Sequence, residues 1–184
     1  MDKLDHELPQ EYDYGDHSYD YGNRSYDRHC YWMEQAIALA HAAGLAGEIP
    51  VGAVVVQGEK LIAQGENRRE RDHDPTAHAE ILALRSAGKY LGTWHLEDCT
   101  LYVTLEPCPM CSGALILARL GLIVYGADDP KTGCIRTVDN FSDRSFSNHR
   151  LPVLAGIKET ACRELLQSWF AQRRSSIGNK KPSL

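Results

Sequence analysis

Apolar positions along this chain change their spacing several times, and each change marks an element. Met33, Ile37, Ala40 and Gly44 share one face of a 3.6-residue period, which predicts a helix over 31–46 that ends near Gly47. VGAVVV (51–56) is a continuous apolar run of the kind that forms a buried strand. Gly58 supplies a turn, and LIAQGEN (61–67) reads as the returning strand. Asp74-Pro75 predicts a helix start, with Asp as cap and Pro in the first position, and a helix from about 76 to 88. TLYVTL (100–105) alternates as a strand, 107–119 reads as a helix closed by Gly121, and LIVYGA (122–127) is another strand. A long polar loop over 128–149 precedes a short strand within 152–157. The last helix, 158–174, is amphipathic, with Leu165, Leu166, Trp169 and Phe170 expected inward. This order predicts a three-layer α/β/α sandwich around a central sheet of about five strands, mixed because the early hairpin is antiparallel.

Composition refines the ends of that picture. Residues 12–28 repeat YDYGDHS, YDYGNRS and YDR, a mixture too poor in apolar side chains to bury a core. Residues 1–28 are therefore expected to be a disordered leader, 29–175 the folded domain and 176–184 a flexible basic tail. The net charge of −5 resides in the leader, where three basic residues face eight acids; the rest of the chain balances. Arg173, Arg174, Lys180 and Lys181 then form a local basic patch after the last acid, Glu164. That excludes a strongly basic nucleic-acid coat but fits a small phosphate-contacting patch. No apolar run is long enough to span a bilayer, so no membrane association is expected. Residues 1–10 lack the features of a secretory signal. Six cysteines without such a signal point to reduced thiols and a cytoplasmic location.

Two short segments carry chemistry: His78-Ala79-Glu80 and Pro107-Cys108-Pro109-Met110-Cys111. Cys108 and Cys111 are three apart, so a first helical turn brings both sulfurs to one side. Free amides at a helix start favour thiolates. Two thiolates and a neutral imidazole suit Zn²⁺, and three protein ligands leave the fourth tetrahedral position open, as in catalytic zinc sites. Glu80 is the candidate proton shuttle beside it. Residues two apart on a regular helix point roughly 200° apart. His78 and Glu80 converge only if the metal attaches at the very start of the helix.

H-x-E followed by P-C-x-x-C is the signature of the zinc-dependent nucleobase deaminases. Beyond it, IPVGAVVV, GEN, HDPTAHAEILALR, TLYVTLEPCPMCSGA, GADDPKTG, Ser147-Asn148-His149-Arg150 and LLQSWFAQRR resemble the bacterial tRNA adenosine deaminases, over most of 31–174. That family converts the wobble adenosine of an anticodon to inosine. The resemblance implies one zinc per subunit on His78, Cys108 and Cys111, with Glu80 catalytic. It implies that the backbones of Ala79 and Pro107 contact the exchanging water and amine, that Asn67 hydrogen-bonds the flipped base and that Val51 packs on it. Asp129, Lys131, Asn148 and His149 would lie near the nucleotide or its neighbours. Phe170, Arg173 and Arg174 would hold the tRNA anticodon stem-loop, and the enzyme would be a homodimer. The 134–141 segment departs from the family's glycine-serine-leucine pattern, and the tyrosine-rich leader is additional.

Simpler readings stand beside these. A closed structural zinc site would need a fourth ligand from Cys99, Cys134 or His95. Asn67, Asp129 and Lys131 also suit turns. Arg173 and Arg174 also complement a helix C-terminus, and Phe170 also suits a core. On the substrate side, an RNA-editing deaminase competes with a deaminase of a free guanine, cytosine or cytidine, and with a non-catalytic zinc module. The basic patch favours RNA, and an intact Glu80 argues against the non-catalytic module.

Overall fold

The computed structural model describes residues 21–178. Its elements are α1 (Tyr21–Leu45), β1 (Gly52–Gln57), β2 (Lys60–Glu66), α2 (Arg69–Asp72), α3 (Ala79–Leu91), β3 (Cys99–Leu105), α4 (Pro109–Leu117), β4 (Leu122–Ala127), β5 (Val153–Ala155) and α5 (Glu159–Gly178). The five strands form one sheet in the order β2-β1-β3-β4-β5. β1 is antiparallel to both β2 and β3, while β3, β4 and β5 run parallel. The expected mixed sheet is thus present, and the hairpin is the source of its mixed sense.

Alternation along the strands builds two cores. Ala53, Val55, Leu101, Val103, Ile123 and Tyr125 face one side, where Ala79, Ala83, Leu84 and Ala87 of α3 and Leu115 of α4 cover them. Val54, Val56, Tyr102 and Val124 face the other, under Trp32, Met33 and Ala36 of α1 and Cys162 of α5. Each fully buried Val, Leu or Ile contributes about 1.5–3 kcal/mol. Two glycines let helices approach the sheet closely. A Cβ at Gly52 would lie 2.2 Å from Ala36 O, and one at Gly65 would lie 2.3 Å from Ala79 O. The second contact sets the first turn of α3 directly against β2, which positions the residues around His78.

Several expected boundaries move. α1 begins at Tyr21, ten residues before the expected helix start at 31, so 21–28 of the expected leader is helical. Arg28 there pairs with Glu59 at 3.2 Å. Residues 1–20 of that leader and 179–184 of the expected tail lie outside the described residues. α5 extends to Gly178, and β5 is confined to Val153–Ala155. α2 occupies a stretch for which no element was expected, and a 3-10 turn over Phe141–Asp143 interrupts the expected loop 128–149. Among the described residues no helix is long and apolar enough to cross a membrane.

Candidate active site

Two helix starts meet beside the C-terminal end of β3. His78 is the N-cap of α3 and Cys108 the N-cap of α4, both with extended backbone (φ −77°, ψ 151° and φ −70°, ψ 173°). Their carbonyls accept the first helical bonds, from Leu82 N at 3.0 Å and Ser112 N at 2.9 Å. The helix expected to start at Asp74-Pro75 starts later because Asp74 is occupied elsewhere. Its Oδ1 accepts the Thr76 N–H and hydroxyl, both at 2.7 Å, closing a separate turn. α4 likewise starts after Cys108, with Pro109 in the first position that suits proline. Because His78 lies outside the helix and Glu80 inside it, the 200° separation of regular helical positions does not apply.

The donor set fits zinc. His78 Nδ1 is 3.6 Å from Cys108 Sγ and 3.6 Å from Cys111 Sγ. All three ligand atoms lie within 4.8 Å of one another. A tetrahedral centre with Zn–S of about 2.3 Å and Zn–N of about 2.05 Å places nitrogen and sulfur about 3.6 Å apart. Among the described residues no fourth side chain joins the group. His95 pairs with Glu97 at 3.5 Å. Cys99 sits at the far end of β3. The arrangement is the three-donor type that leaves a position open.

Proton affinities follow the same geometry. A hydrogen bond from Cys111 lowers the Cys108 thiol to about 4, with His78 adding to the effect, and the same bond, then burial, raises Cys111. The hydrogen bond to Cys108 raises His78 against the opposing effect of burial. Glu80 is 4% exposed, and burial raises its carboxyl above the ordinary range. A carboxyl tuned upward is suited to exchanging protons near neutral pH.

His78, Glu80 and Cys108 line a cleft of about 110 Å³ with Ile49, Val51, Asn67, Arg69, Ala79, Leu105, Glu106, Asp129 and Thr132, and Cys111 is buried behind it. Sites that enclose a drug-sized ligand measure roughly 300–1,000 Å³, so this cleft suits one ring system with the rest of a substrate outside. Fully buried Glu48 accepts the Glu70 and Arg71 N–H groups at 3.2 and 2.8 Å. The Asn67 amide nitrogen donates to Glu48 at 3.5 Å and to Ile49 O at 3.3 Å. Two acceptors around that nitrogen fix the orientation of the amide.

A second groove of about 300 Å³ shares Ile49, Asn67 and Arg69 with the cleft and continues along α5 past Trp169, Phe170, Arg173 and Arg174. Lys131 joins Phe170 and Arg174 in a third depression. Phe170 is 40% exposed, so it is surface and not core as expected. Arg173 donates to Gly47 O at 2.9 Å and lies over the Trp169 ring at 4.9 Å. α5 continues to Gly178, so Arg173 and Arg174 are not helix-end complements.

Other expected residues are engaged differently. Asp129 accepts Lys131 N at 2.9 Å and the Thr132 hydroxyl at 2.6 Å, so its carboxylate builds the turn while it borders the cleft. Pro107 O accepts the Ser112 hydroxyl at 3.1 Å and Cys134 N at 2.9 Å. The Ala79 N–H belongs to the first helical turn, whose amides lack partners within the helix. Asn148 and His149 do not join this cleft. His149 Nε2 bonds Leu120 O at 2.8 Å, just before β4 and therefore at the opposite end of the sheet from Leu105. Sequence reasoning missed Ile49, Arg69, Leu105, Glu106 and Thr132. For Glu106 the signal was present, as a lone charge between an apolar strand and the cysteine motif.

The family profile of the MafB19-like deaminases matches residues 27–174. The chain belongs to that family. This deaminase is 46% identical over 143 residues to the tRNA-specific adenosine deaminase of Bacillus subtilis (strain 168), covering 78% of this chain and 89% of that protein. A solved structure from work on A-to-I editing by tRNA:A34 deaminases at the wobble position of transfer RNA superposes with TM-score 0.72 at 40% identity. It covers 74% of this chain and 99% of its own. A guanine deaminase from Nitrosomonas europaea is more distant, at TM-score 0.66 and 28% identity over 77% of this chain and 84% of its own. The deaminase neighbours share the mixed five-stranded sheet with helices on both faces.

Proposed function

We propose that this deaminase hydrolyses adenosine to inosine at the wobble position of a tRNA anticodon. The observation that carries the reading is continuity. A one-ring cleft lined by His78, Cys108 and Glu80, with Cys111 buried behind them, opens at Asn67 and Arg69 into a basic, aromatic groove along α5. Bases flipped out of a loop are read by edge hydrogen bonds and stacking, while Arg and Lys hold the phosphates.

In this reading His78, Cys108 and Cys111 hold one zinc ion per subunit. When bound, zinc supplies Lewis acidity that makes hydroxide available at neutral pH. Glu80 accepts the proton of the attacking water and returns protons to the ring nitrogen and the departing amine, so water and adenosine leave as inosine and ammonia. Asn67 and Val51 orient the base, and the Ala79 N–H and Pro107 carbonyl flank the reacting atoms. Asp129 and Lys131 meet the neighbouring nucleotides, and Phe170, Arg173 and Arg174 grip the stem-loop.

The subunit also carries an apolar face between α3 and α4. A groove of about 620 Å³ there includes Ile81, Leu84, Leu96, Trp94 and Leu117, with Trp94 62% and Leu117 67% exposed. An exposed patch of this kind marks an association surface, and we assign it to a homodimer. Light scattering should give twice the subunit mass, and Leu117→Glu should return a monomer. We place the enzyme in the cytoplasm, where its six unpaired thiols would remain reduced.

The deciding test is nucleoside mass spectrometry of tRNA incubated with the purified enzyme. Inosine at the wobble position supports the reading. Turnover of guanine, cytosine or cytidine with no inosine in tRNA would assign the cleft to a free base or nucleoside.

A further inference from the structure

One wall of the cleft is organised by a single side chain. Glu106 is 2% exposed and follows directly on β3. Its Oε1 accepts N–H groups from Ile135 at 3.2 Å, Arg136 at 2.7 Å and Thr137 at 2.9 Å. Its Oε2 accepts Asp129 N at 3.1 Å and the Thr137 hydroxyl. A carboxylate offers about four lone-pair sites, so five donors saturate it. The segment from 129 to 137 is wrapped so tightly that a Cβ on Gly133 would fall 2.2 Å from Oε2. Three of these anchored residues, Ile135, Arg136 and Thr137, fall in the 134–141 stretch that departs from the family pattern, while Asp129 lies in the matching GADDPKTG stretch before it.

The same segment delivers side chains to the substrate side. Asp129 and Thr132 line the cleft, and Lys131 lies beside Phe170 and Arg174. We propose that Glu106 is a positioning residue that holds 129–137 as a preformed wall, so that Asp129, Lys131 and Thr132 meet the RNA already ordered. The proposal rests on the reading of this cleft as the site for an adenosine in an RNA loop. Glu106 has no free lone pair for the base and acts through the loop. Ordering a mobile wall on binding lowers affinity. The proton chemistry, held by the starts of α3 and α4, is separate from it. Loss of Glu106 therefore falls on KM more than on kcat.

Glu106→Gln keeps the shape but turns an amide NH2 toward donors. Leaving buried donors unsatisfied should raise KM for an anticodon stem-loop roughly ten- to a hundredfold, with kcat within about threefold. One zinc per chain should remain, and backbone amides of 129–137 should exchange hydrogen faster. Thr137→Val removes one bond and should show the same pattern more weakly, which keeps the test open if Glu106→Gln does not fold. A fall in kcat at unchanged KM, or exchange in 129–137 equal to wild type in both variants, overturns the proposal. If the unmodified enzyme makes no inosine in the stem-loop, the substrate reading fails instead, and the exchange measurement still decides whether Glu106 holds the loop.

Discussion

Two buried carboxylates stand in the same cleft and have opposite surroundings. Glu106, on the loop side, is enclosed by five donors from 129–137. Glu80, on the helix side, is as deeply buried, but its neighbours are the sulfurs of Cys108 and Cys111 and the imidazole of His78, and burial raises its carboxyl. The difference teaches that burial alone does not mark a catalytic acid. A carboxylate saturated with N–H donors is architecture, because its charge is already compensated. One that burial has pushed toward protonation, beside a metal-ligand set, is available for proton transfer.

The strongest way to break this contrast is to remove the metal set. Cys108→Ala should bind less than one zinc per chain, by elemental analysis, and lose detectable inosine formation. Full activity with no stoichiometric metal would sink the assignment of the helix side. Glu80→Ala comes next. It should keep one zinc per chain and lose on the order of 10²–10⁴-fold in kcat, as general acid–base residues do. Unchanged turnover with zinc retained would make Glu80 structural, like Glu106. Arg174→Ala probes the groove beyond both carboxylates. The slope of log affinity for a stem-loop against log salt should fall by about 0.7–1 with kcat unaffected. An unchanged slope would remove Arg174 from the phosphate path.

The helix side was legible in the sequence because its chemistry is local. His78-Ala79-Glu80 and Cys108 to Cys111 lie within four residues of each other in each segment, and ligand spacing survives folding. The backbone device that lets them converge was only partly legible. The Asp74-Pro75 signal is real, but Thr76 captures the Asp74 carboxylate, and the helix waits until Ala79. On the loop side Glu106 stood out as a lone charge, but its partners were illegible for the opposite reason. Nothing in 134–141 announces that Ile135, Arg136 and Thr137 donate to a carboxylate some thirty residues earlier. Asn148 and His149 were placed by resemblance alone, and the parallel pairing of β4 with β5 carries them to the wrong end of the sheet for this chain's own cleft. The sheet itself was readable because continuous apolar runs and alternation report burial directly, whereas the length of α1 depends on polar residues with no such pattern.

A third buried titratable group, far from the cleft, sharpens the contrast with the smallest expected effect. His29 is 8% exposed on α1, with Nδ1 2.9 Å from the Tyr102 hydroxyl. Burial first, then the charge of Arg28, lowers its pKa. It thus has one neutral partner, fewer than Glu106, and no metal-binding set, unlike Glu80. The unfolded chain binds a proton at this residue below about pH 6.5, while the folded chain resists it. Stability from this source is therefore complete above that pH and is lost as the pH falls below it, by at most about 1.4 kcal/mol per pH unit. His29→Gln removes the titration while keeping a polar group near Tyr102. Urea midpoints measured from pH 7 to pH 5.5 should fall more steeply for the wild type than for the variant. Parallel curves would mean that α1 accommodates the imidazolium, and that burial at 8% exposure does not by itself perturb a group on this fold.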